Sequence, residues 1–153
     1  MDTLIIRVQS KKFIKRLQIP YYIHENGKRY LEDTKWNLSV YCKRNVVLKD
    51  AEYLQDGDEI SLAENKDFKL KVIYTPGHTS DSVLYYAKND KTAFVGDTIF
   101  KGTIGSTQYV GSNEKDLQNS IMKKIFTLPD ETVLYPGHSR STTVGMEKAR
   151  YMR

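Results

Sequence analysis

The stretch Thr75–Pro76–Gly77–His78–Thr79 decides how this sequence is interpreted, because it places a histidine just after the end of a strand. The preceding residues 68–74, Phe-Lys-Leu-Lys-Val-Ile-Tyr, alternate apolar with charged side chains, which is typical of a half-buried strand. Pro-Gly then ends the strand in a tight turn. A histidine in this position lies on a loop that a rigid sheet can aim at a target.

The same arrangement recurs downstream at Tyr135–Pro136–Gly137–His138–Ser139, and Val95–Gly96–Asp97–Thr98 places a carboxylate after an apolar run between the two. Each motif taken alone is explained by a turn with a polar cap. All three together indicate a common target, and imidazole with carboxylate suits zinc or iron. The predicted metal ligands are His78, Asp97 and His138.

Around these motifs the sequence predicts a mixed α/β arrangement. Alternating and apolar runs predict strands, a cap followed by apolar residues at helical spacing predicts a helix, and Pro129 ends that helix. Residues 101–112, rich in Gly, Ser and Thr, predict a loop. The strands are Glu59–Leu62, Phe68–Tyr74, Ser82–Ala87, Thr92–Val95 and Thr132–Tyr135, with the third and fourth forming an antiparallel hairpin; the helices start at Ser112 or Asn113 and at Val144.

The N-terminal third gives weaker signals. Ser10–Gln18 places apolar residues on one side and basic residues on the other, which predicts a short amphipathic helix. Tyr21–His24 is a β-prone run closed by the turn residues Glu25–Gly27, and a polar, irregular stretch is expected up to Asp58. We interpret His24 as a packed or capping histidine rather than a metal ligand.

Length and composition exclude several classes of protein. With 153 residues, 39% apolar and 28% charged, the chain is too apolar for a disordered segment and long enough for one core. We therefore predict a single domain over residues 1–153. No apolar run approaches the ~20 residues of a spanning helix, so no membrane partner is expected. Residues 1–7 lack the features of a secretory signal, so we expect a cytoplasmic location.

The formal net charge of +5 comes from Lys and Arg residues scattered along the chain. The densest cluster, Lys11–Arg16, is typical of the solvated face of a helix. Because the basic residues are not interleaved with aromatic residues in a binding motif, nucleic acid is not an expected partner. The single cysteine, Cys42, cannot form an internal disulfide and is interpreted as a small buried hydrophobic residue rather than a nucleophile.

Four stretches resemble the metallo-β-lactamase superfamily, and within it the branch of hydroxyacylglutathione hydrolases (glyoxalase II) and related small hydrolases. They are residues 75–82, 94–100, 120–129 and 133–145. Residues 21–25 and 33–39 also look like the segment that follows the family's first motif. In order and spacing, the resemblance covers roughly Lys11 to the C-terminus.

The resemblance implies an α/β (α+β) fold, an αβ/βα sandwich of two facing sheets with helices outside. It also implies that His78 is a ligand of a first metal, that Asp97 bridges two metals and is the catalytic carboxylate, and that His138 is a ligand of the second. The family's His-x-His-x-Asp-His motif is expected just before residue 10, where this sequence has no histidine. We therefore interpret the chain as an N-terminally truncated version of the fold.

By this resemblance we expect a metal-dependent hydrolase of thioester or lactone-like substrates, impaired or inactive because half of the metal ligands are absent. Zinc is the expected metal, with iron or manganese as alternatives. Binding should be weak or partial, because each metal has two ligands where a catalytic zinc typically has three. Gly105–Gln108 also stands where the glyoxalase-like branch often has an arginine and an aspartate, which affects substrate recognition.

The alternative is a non-catalytic oligomeric or partner-binding module that keeps a degenerate metal site. In either case, uncovered apolar faces and unpaired strand edges should favour a homo-oligomer. Metal content and thioester turnover of the purified protein distinguish the enzyme from the non-catalytic module.

Overall fold

The computed structural model describes residues 20–43, 45–62 and 64–152, and the helix predicted at Ser10–Gln18 lies outside these ranges. The chain divides into two compact units, Met1–Leu54 and Gln55–Arg153. The single domain predicted over residues 1–153 stays a prediction, as does the homo-oligomer.

In the first unit, strand β1 (Tyr22–His24) pairs in parallel with strand β2 (Glu52–Leu54). The β-prone run at β1 is confirmed. The expectation of an irregular stretch up to Asp58 is wrong, because β2 lies within it. The burial expected for Cys42 is also wrong, because this residue is exposed. The connection between the strands also contains defined elements, which are a 3-10 helix (Glu25–Gly27), helix α1 (Lys28–Glu32) and a second 3-10 helix (Ser39–Cys42).

Buried polar side chains explain why this polar stretch is ordered. The Asn37 side-chain amide donates to the carbonyl oxygens of Tyr30 and Val46, both at 2.9 Å. The Ser39 hydroxyl accepts from the Val46 backbone N–H at 3.1 Å. Side chains thus satisfy backbone groups that a helix or sheet would otherwise pair, and no hydrophobic periodicity is needed to specify the fold locally.

His24 has the capping role that the sequence predicted. Its side chain is buried, and its Nδ1 accepts from the backbone N–H of Asn26 at 3.3 Å, at the start of the first 3-10 helix.

In the second unit, six of the described strands form one mixed sheet. They are β3 (Glu59–Ser61), β4 (Lys69–Tyr74), β5 (Val83–Ala87), β6 (Thr92–Gly96), β9 (Val133–Pro136) and β10 (Thr142–Thr143). Their order across the sheet is β10-β9-β6-β5-β4-β3. Two further short strands, β7 (Ile99–Phe100) and β8 (Thr103–Ile104), form a separate hairpin between β6 and β9 in the chain.

The strand directions bring three strand ends to one edge of the sheet. Both β4 and β6 are antiparallel to β5, so they run in the same direction. Strand β9 is parallel to β6. The carboxyl ends of β4, β6 and β9 therefore lie at the same edge, and the residues that follow them can meet there.

The core of this unit is formed by one face of the sheet with helices α2 (Glu114–Lys123) and α3 (Val144–Tyr151). Alternation along β6 shows which face is buried, since Ala93 and Val95 are fully buried while Phe94 is exposed. Four apolar residues of α2 and of the 3-10 helix after it point into this core, as the helical spacing predicted. They are Leu117, Ile121, Ile125 and Phe126.

The strands and the hairpin over 83–96 are confirmed. Helix α2 is capped by Asn113, one of the two predicted caps, whose side chain accepts from the N–H of Asp116. Two expectations are wrong. The predicted continuous helix is α-helical only to Lys123 and continues as a 3-10 helix (Ile125–Thr127), and the loop predicted over 101–112 contains β8. Among the described residues, no helix is long and apolar enough to cross a membrane.

Candidate metal centre

The structure brings the three predicted ligands together at the shared sheet edge. Asp97 directly follows β6, and the two histidines follow β4 and β9. His78 Nε2 lies 3.6 Å from Asp97 Oδ2, and His138 Nδ1 lies 2.9 Å from Asp97 Oδ1. The carboxylate therefore stands between two imidazoles, with a different oxygen facing each one.

On the first side, the ring of His78 is fixed by the backbone. His78 Nδ1 lies 2.8 Å from the carbonyl oxygen of Ser106, and because a carbonyl can only accept, Nδ1 carries the hydrogen. In neutral imidazole, Nε2 then presents its lone pair to Asp97 Oδ2. A cation placed between these two acceptors would be attracted to both of them.

The loop that carries His78 packs against helix α2. The carbonyl oxygen of Gly77 accepts from the backbone N–H of Asn113 at 2.8 Å, and the carbonyl oxygen of Pro76 accepts from the Ser120 hydroxyl at 2.7 Å. Gly77 has φ +141°, and a Cβ there would lie 2.3 Å from the Cα of Leu117. Glycine at this position therefore permits both the turn and the close approach to the helix.

On the second side, His138 is more open. Its side chain is 39% exposed, against 12% for His78, and Nδ1–H donates to Asp97 Oδ1. The edge of its ring faces Phe100, with 6.3 Å between the ring centroids. A Cβ on Gly137 would lie 2.5 Å from Asp97 Oδ1, so this glycine makes room for the carboxylate rather than for a helix.

Two imidazoles and a carboxylate are suitable ligands for a divalent metal. The spacing of the donor atoms differs between the His78–Asp97 pair and the His138–Asp97 pair. Two ligands at ~2.0–2.1 Å from a tetrahedral zinc lie about 3.3–3.4 Å apart, which is close to the His78–Asp97 separation. The His138–Asp97 pair is instead a direct hydrogen bond, which an ion would have to replace. Accordingly, within residues 20–43, 45–62 and 64–152 no group of three His, Cys, Asp or Glu side chains meets the geometry for holding an ion as it stands.

The hairpin β7–β8 contributes contacts that the sequence did not predict. It supplies Phe100 beside His138, and the residues after it supply the carbonyl of Ser106. A Cβ on Gly105 would lie 1.9 Å from the carbonyl oxygen of Asp97, so the chain passes tightly over the carboxylate residue. Tyr109, 45% exposed, then places its ring edge-on to His78 at 6.2 Å. Backbone carbonyls leave no compositional signal, whereas Phe100 lies within a stretch that carried the resemblance.

Comparison with known proteins indicates the family to which this chain belongs. The Metallo-beta-lactamase superfamily pattern matches residues 10–138. The Probable metallo-hydrolase YqgX of Bacillus subtilis (strain 168) is 37% identical over 136 residues, which cover 88% of this chain and 63% of that protein. Hydroxyacylglutathione hydrolase GloC of Haemophilus influenzae is 33% identical over 104 residues, which cover 68% of this chain and 48% of that protein.

Two solved structures share the fold. BLEG-1 B3 metallo-beta-lactamase superposes with a TM-score of 0.80 at 31% identity, and TTHA1623 in a di-iron-bound form with a TM-score of 0.76 at 26% identity. Each alignment covers 90% of this chain and 66% of the other. The fold is thus that of the metallo-β-lactamases, which confirms the predicted fold class.

The pattern match extends over most of the chain, and the chain belongs to the metallo-β-lactamase superfamily. It spans 63% of the length of YqgX. Membership implies binding of a divalent metal.

Proposed function

We propose that this chain is a metal-dependent hydrolase of thioester or lactone-like substrates, in which His78, Asp97 and His138 hold the metal. The observation that carries the proposal is the Asp97 carboxylate, which has one imidazole on each oxygen. By resemblance to the family, His78 would hold a first ion, His138 a second and Asp97 both.

Zinc is the metal we expect, and iron is the first alternative. Imidazole and carboxylate suit both metals, and the related TTHA1623 structure is described as di-iron-bound. These three side chains give each ion two ligands, where a catalytic zinc typically has three. We therefore expect weak or partial occupancy and slow hydrolysis from the chain with these ligands alone.

A bound divalent ion would supply a Lewis acid for the substrate carbonyl and a bound water with a pKa of roughly 7. Residues of this chain orient the side chains that would hold the ion. The Ser106 carbonyl holds His78 in the tautomer that leaves Nε2 free to coordinate. The chain around Gly105 and Gly137 fits closely against Asp97, which fixes the direction of its carboxylate.

The proposed substrate class is inferred from the names of relatives rather than from the shape of the site. GloC is named a hydroxyacylglutathione hydrolase, and its substrate by that name is a thioester. The open side of the site carries the exposed ring of Tyr109 and the partly exposed His138, against which an acyl group could pack. A lactone presents the same reacting carbonyl and is the second substrate to test.

The test is hydrolysis of a hydroxyacyl-glutathione thioester and of a lactone by purified protein loaded with zinc or iron. Asp97→Asn keeps the shape of the side chain but removes the charge shared by both ions. We expect it to lower kcat/KM at least ~100-fold and to reduce the bound metal measured by mass spectrometry. Asp90→Asn, in the exposed turn before β6, is the matched control and should match the wild type.

Two results would contradict the proposal. The first is metal-loaded wild-type protein that hydrolyses neither substrate above the rate of free metal. The second is Asp97→Asn protein that keeps both metal content and activity, because the ions would then be held elsewhere.

A further inference from the structure

A buried carboxylate on helix α3 connects the two loops that form the candidate metal centre. Glu147 is 1% exposed. Its Oε2 accepts from the backbone N–H of Gly102 at 3.0 Å, and its Oε1 accepts from the Thr142 hydroxyl and from Arg150 Nη1, the latter at 2.7 Å. Burying a carboxylate is costly unless both oxygens are paired, and here three donors pair them.

The partners of Glu147 belong to the segments that carry the site. Gly102 lies at the tip of the hairpin β7–β8, whose first strand follows Asp97 and whose second strand leads to Ser106. Thr142 begins β10, directly after the loop of His138. One carboxylate thus sets the position of the hairpin beside Asp97 relative to the loop of His138.

Helix α3 is attached to the core by other residues, so its attachment does not by itself explain why the Glu147 carboxylate is buried. Val144 anchors α3 in the core by apolar burial. Lys148 pairs with Asp130 at 2.7 Å, and Tyr151 packs edge-on against Phe126. Glu147 differs from these anchors because its oxygens reach the hairpin tip and β10 at the same time.

We propose that Glu147 is a positioning residue that fixes the geometry of His138 against Asp97 and thereby sets the affinity of the centre for its metal. The proposal rests on the metal site assigned under the proposed function. Phe100, in the same hairpin, contacts the His138 ring, so a shift of the hairpin tip reaches His138 through that contact as well as through β10.

The first experiment measures zinc affinity by competition with a chelator. Glu147→Gln keeps the length of the side chain but replaces one acceptor oxygen with an NH2 group, which must face at least one of the three donors. We expect zinc affinity to fall about 10-fold, as for other residues that orient ligands without touching the metal. Lys148→Met removes the partly exposed ion pair on the same helix and should keep the wild-type affinity.

The second experiment is independent of metal. The chemical shifts of the histidine ring nitrogens are measured by NMR in the metal-free protein at one fixed pH. Because the chain has three histidines, few signals have to be assigned. The wild type should show His138 as the Nδ1–H tautomer, which donates to Asp97. Glu147→Gln should shift this population, and Lys148→Met should not.

Thr142→Val is the second variant, because it removes only the hydroxyl donor to Glu147 and keeps the shape of the side chain. It should lower zinc affinity in the same direction as Glu147→Gln. The proposal is overturned if both variants keep the His138 tautomer of the wild type, or if their zinc affinity equals that of Lys148→Met. Wild-type protein that binds no zinc would contradict the proposed function, and the tautomer measurement alone would then decide the role of Glu147.

Discussion

The loops of His78 and His138 share the sequence Pro-Gly-His but are held in different ways. In the loop of His78, the glycine packs against the backbone of α2 and the histidine is fixed by the carbonyl of Ser106. In the loop of His138, the glycine packs against the carboxylate of Asp97, and the histidine donates to that carboxylate. The glycine of one loop thus packs against the scaffold, and the glycine of the other packs against the site itself.

This difference shows that a repeated motif does not imply a repeated role for each residue. The His78 side is prepared before any ion binds, since its nitrogen and the Asp97 oxygen are already spaced like two ligands. The His138 side must exchange a hydrogen bond for a metal bond. Changes at Gly77 should therefore act mainly on stability, and changes at Gly137 should act mainly on metal binding.

The largest expected effect is that of Gly77→Ala on stability. Its Cβ would lie 2.3 Å from the backbone of Leu117, and φ is +141°. We expect the free energy of unfolding to fall by about 3–5 kcal/mol, measured by urea denaturation. Gly57→Ala is the control, because φ there is +94° with nothing within 4 Å of the added Cβ, and it should cost only about 1 kcal/mol. Equal losses in the two variants would show that the helix contact is unimportant.

Gly137→Ala should have an intermediate effect, and mainly on the metal. The added Cβ would lie 2.5 Å from Asp97 Oδ1, a side-chain atom that can move aside. We expect zinc affinity to fall about 10-fold, while the free energy of unfolding falls by no more than about 1–2 kcal/mol. Gly145→Ala, which would approach Asp130 instead, should leave the affinity unchanged. If the Gly137→Ala protein kept the zinc affinity of the wild type, the proposed difference between the loops of His78 and His138 would be contradicted.

The smallest expected effect is a dependence of stability on alkaline pH that involves the His78 loop. Burial raises the pKa of Tyr85 above 10.0, and the charge of Asp81, at the end of that loop, raises it further. Because the folded state favours the neutral phenol, this contribution to stability is complete below pH 10 and is lost as the pH rises through the raised pKa. Denaturation midpoints of wild type and Tyr85→Phe should diverge above pH 10, with the wild type losing more. Parallel curves would contradict this role of Tyr85.

Much of the second unit was predictable because its elements repeat with a clear period. Alternation identified strand β4, and the spacing of Leu117 and Ile121 identified the buried face of α2. The first unit was not predictable in this way. Asn37 and Ser39 order it through hydrogen bonds to backbone groups seven to nine residues away, and such bonds leave no periodic pattern.

For the candidate centre, the sequence predicted that the three side chains would meet but not how they are held. Strand ends and Pro-Gly turns predicted that the side chains would converge, and the parallel strands β6 and β9 show why they do. The hairpin β7–β8 was missed because strands of two residues are too short to show alternation. Ser106 acts through its backbone carbonyl and Glu147 through burial, and neither property can be read from residue type.

The placement of the donors on separate strand ends also has a consequence for folding. Asp97 and His138 are 41 residues apart in the chain, so an ion that binds both acts as a reversible cross-link between distant segments. An unfolded chain cannot offer these donors together, so the ion binds the native state selectively and stabilises it by mass action. Removal of a bound ion by a chelator would then lower the melting temperature.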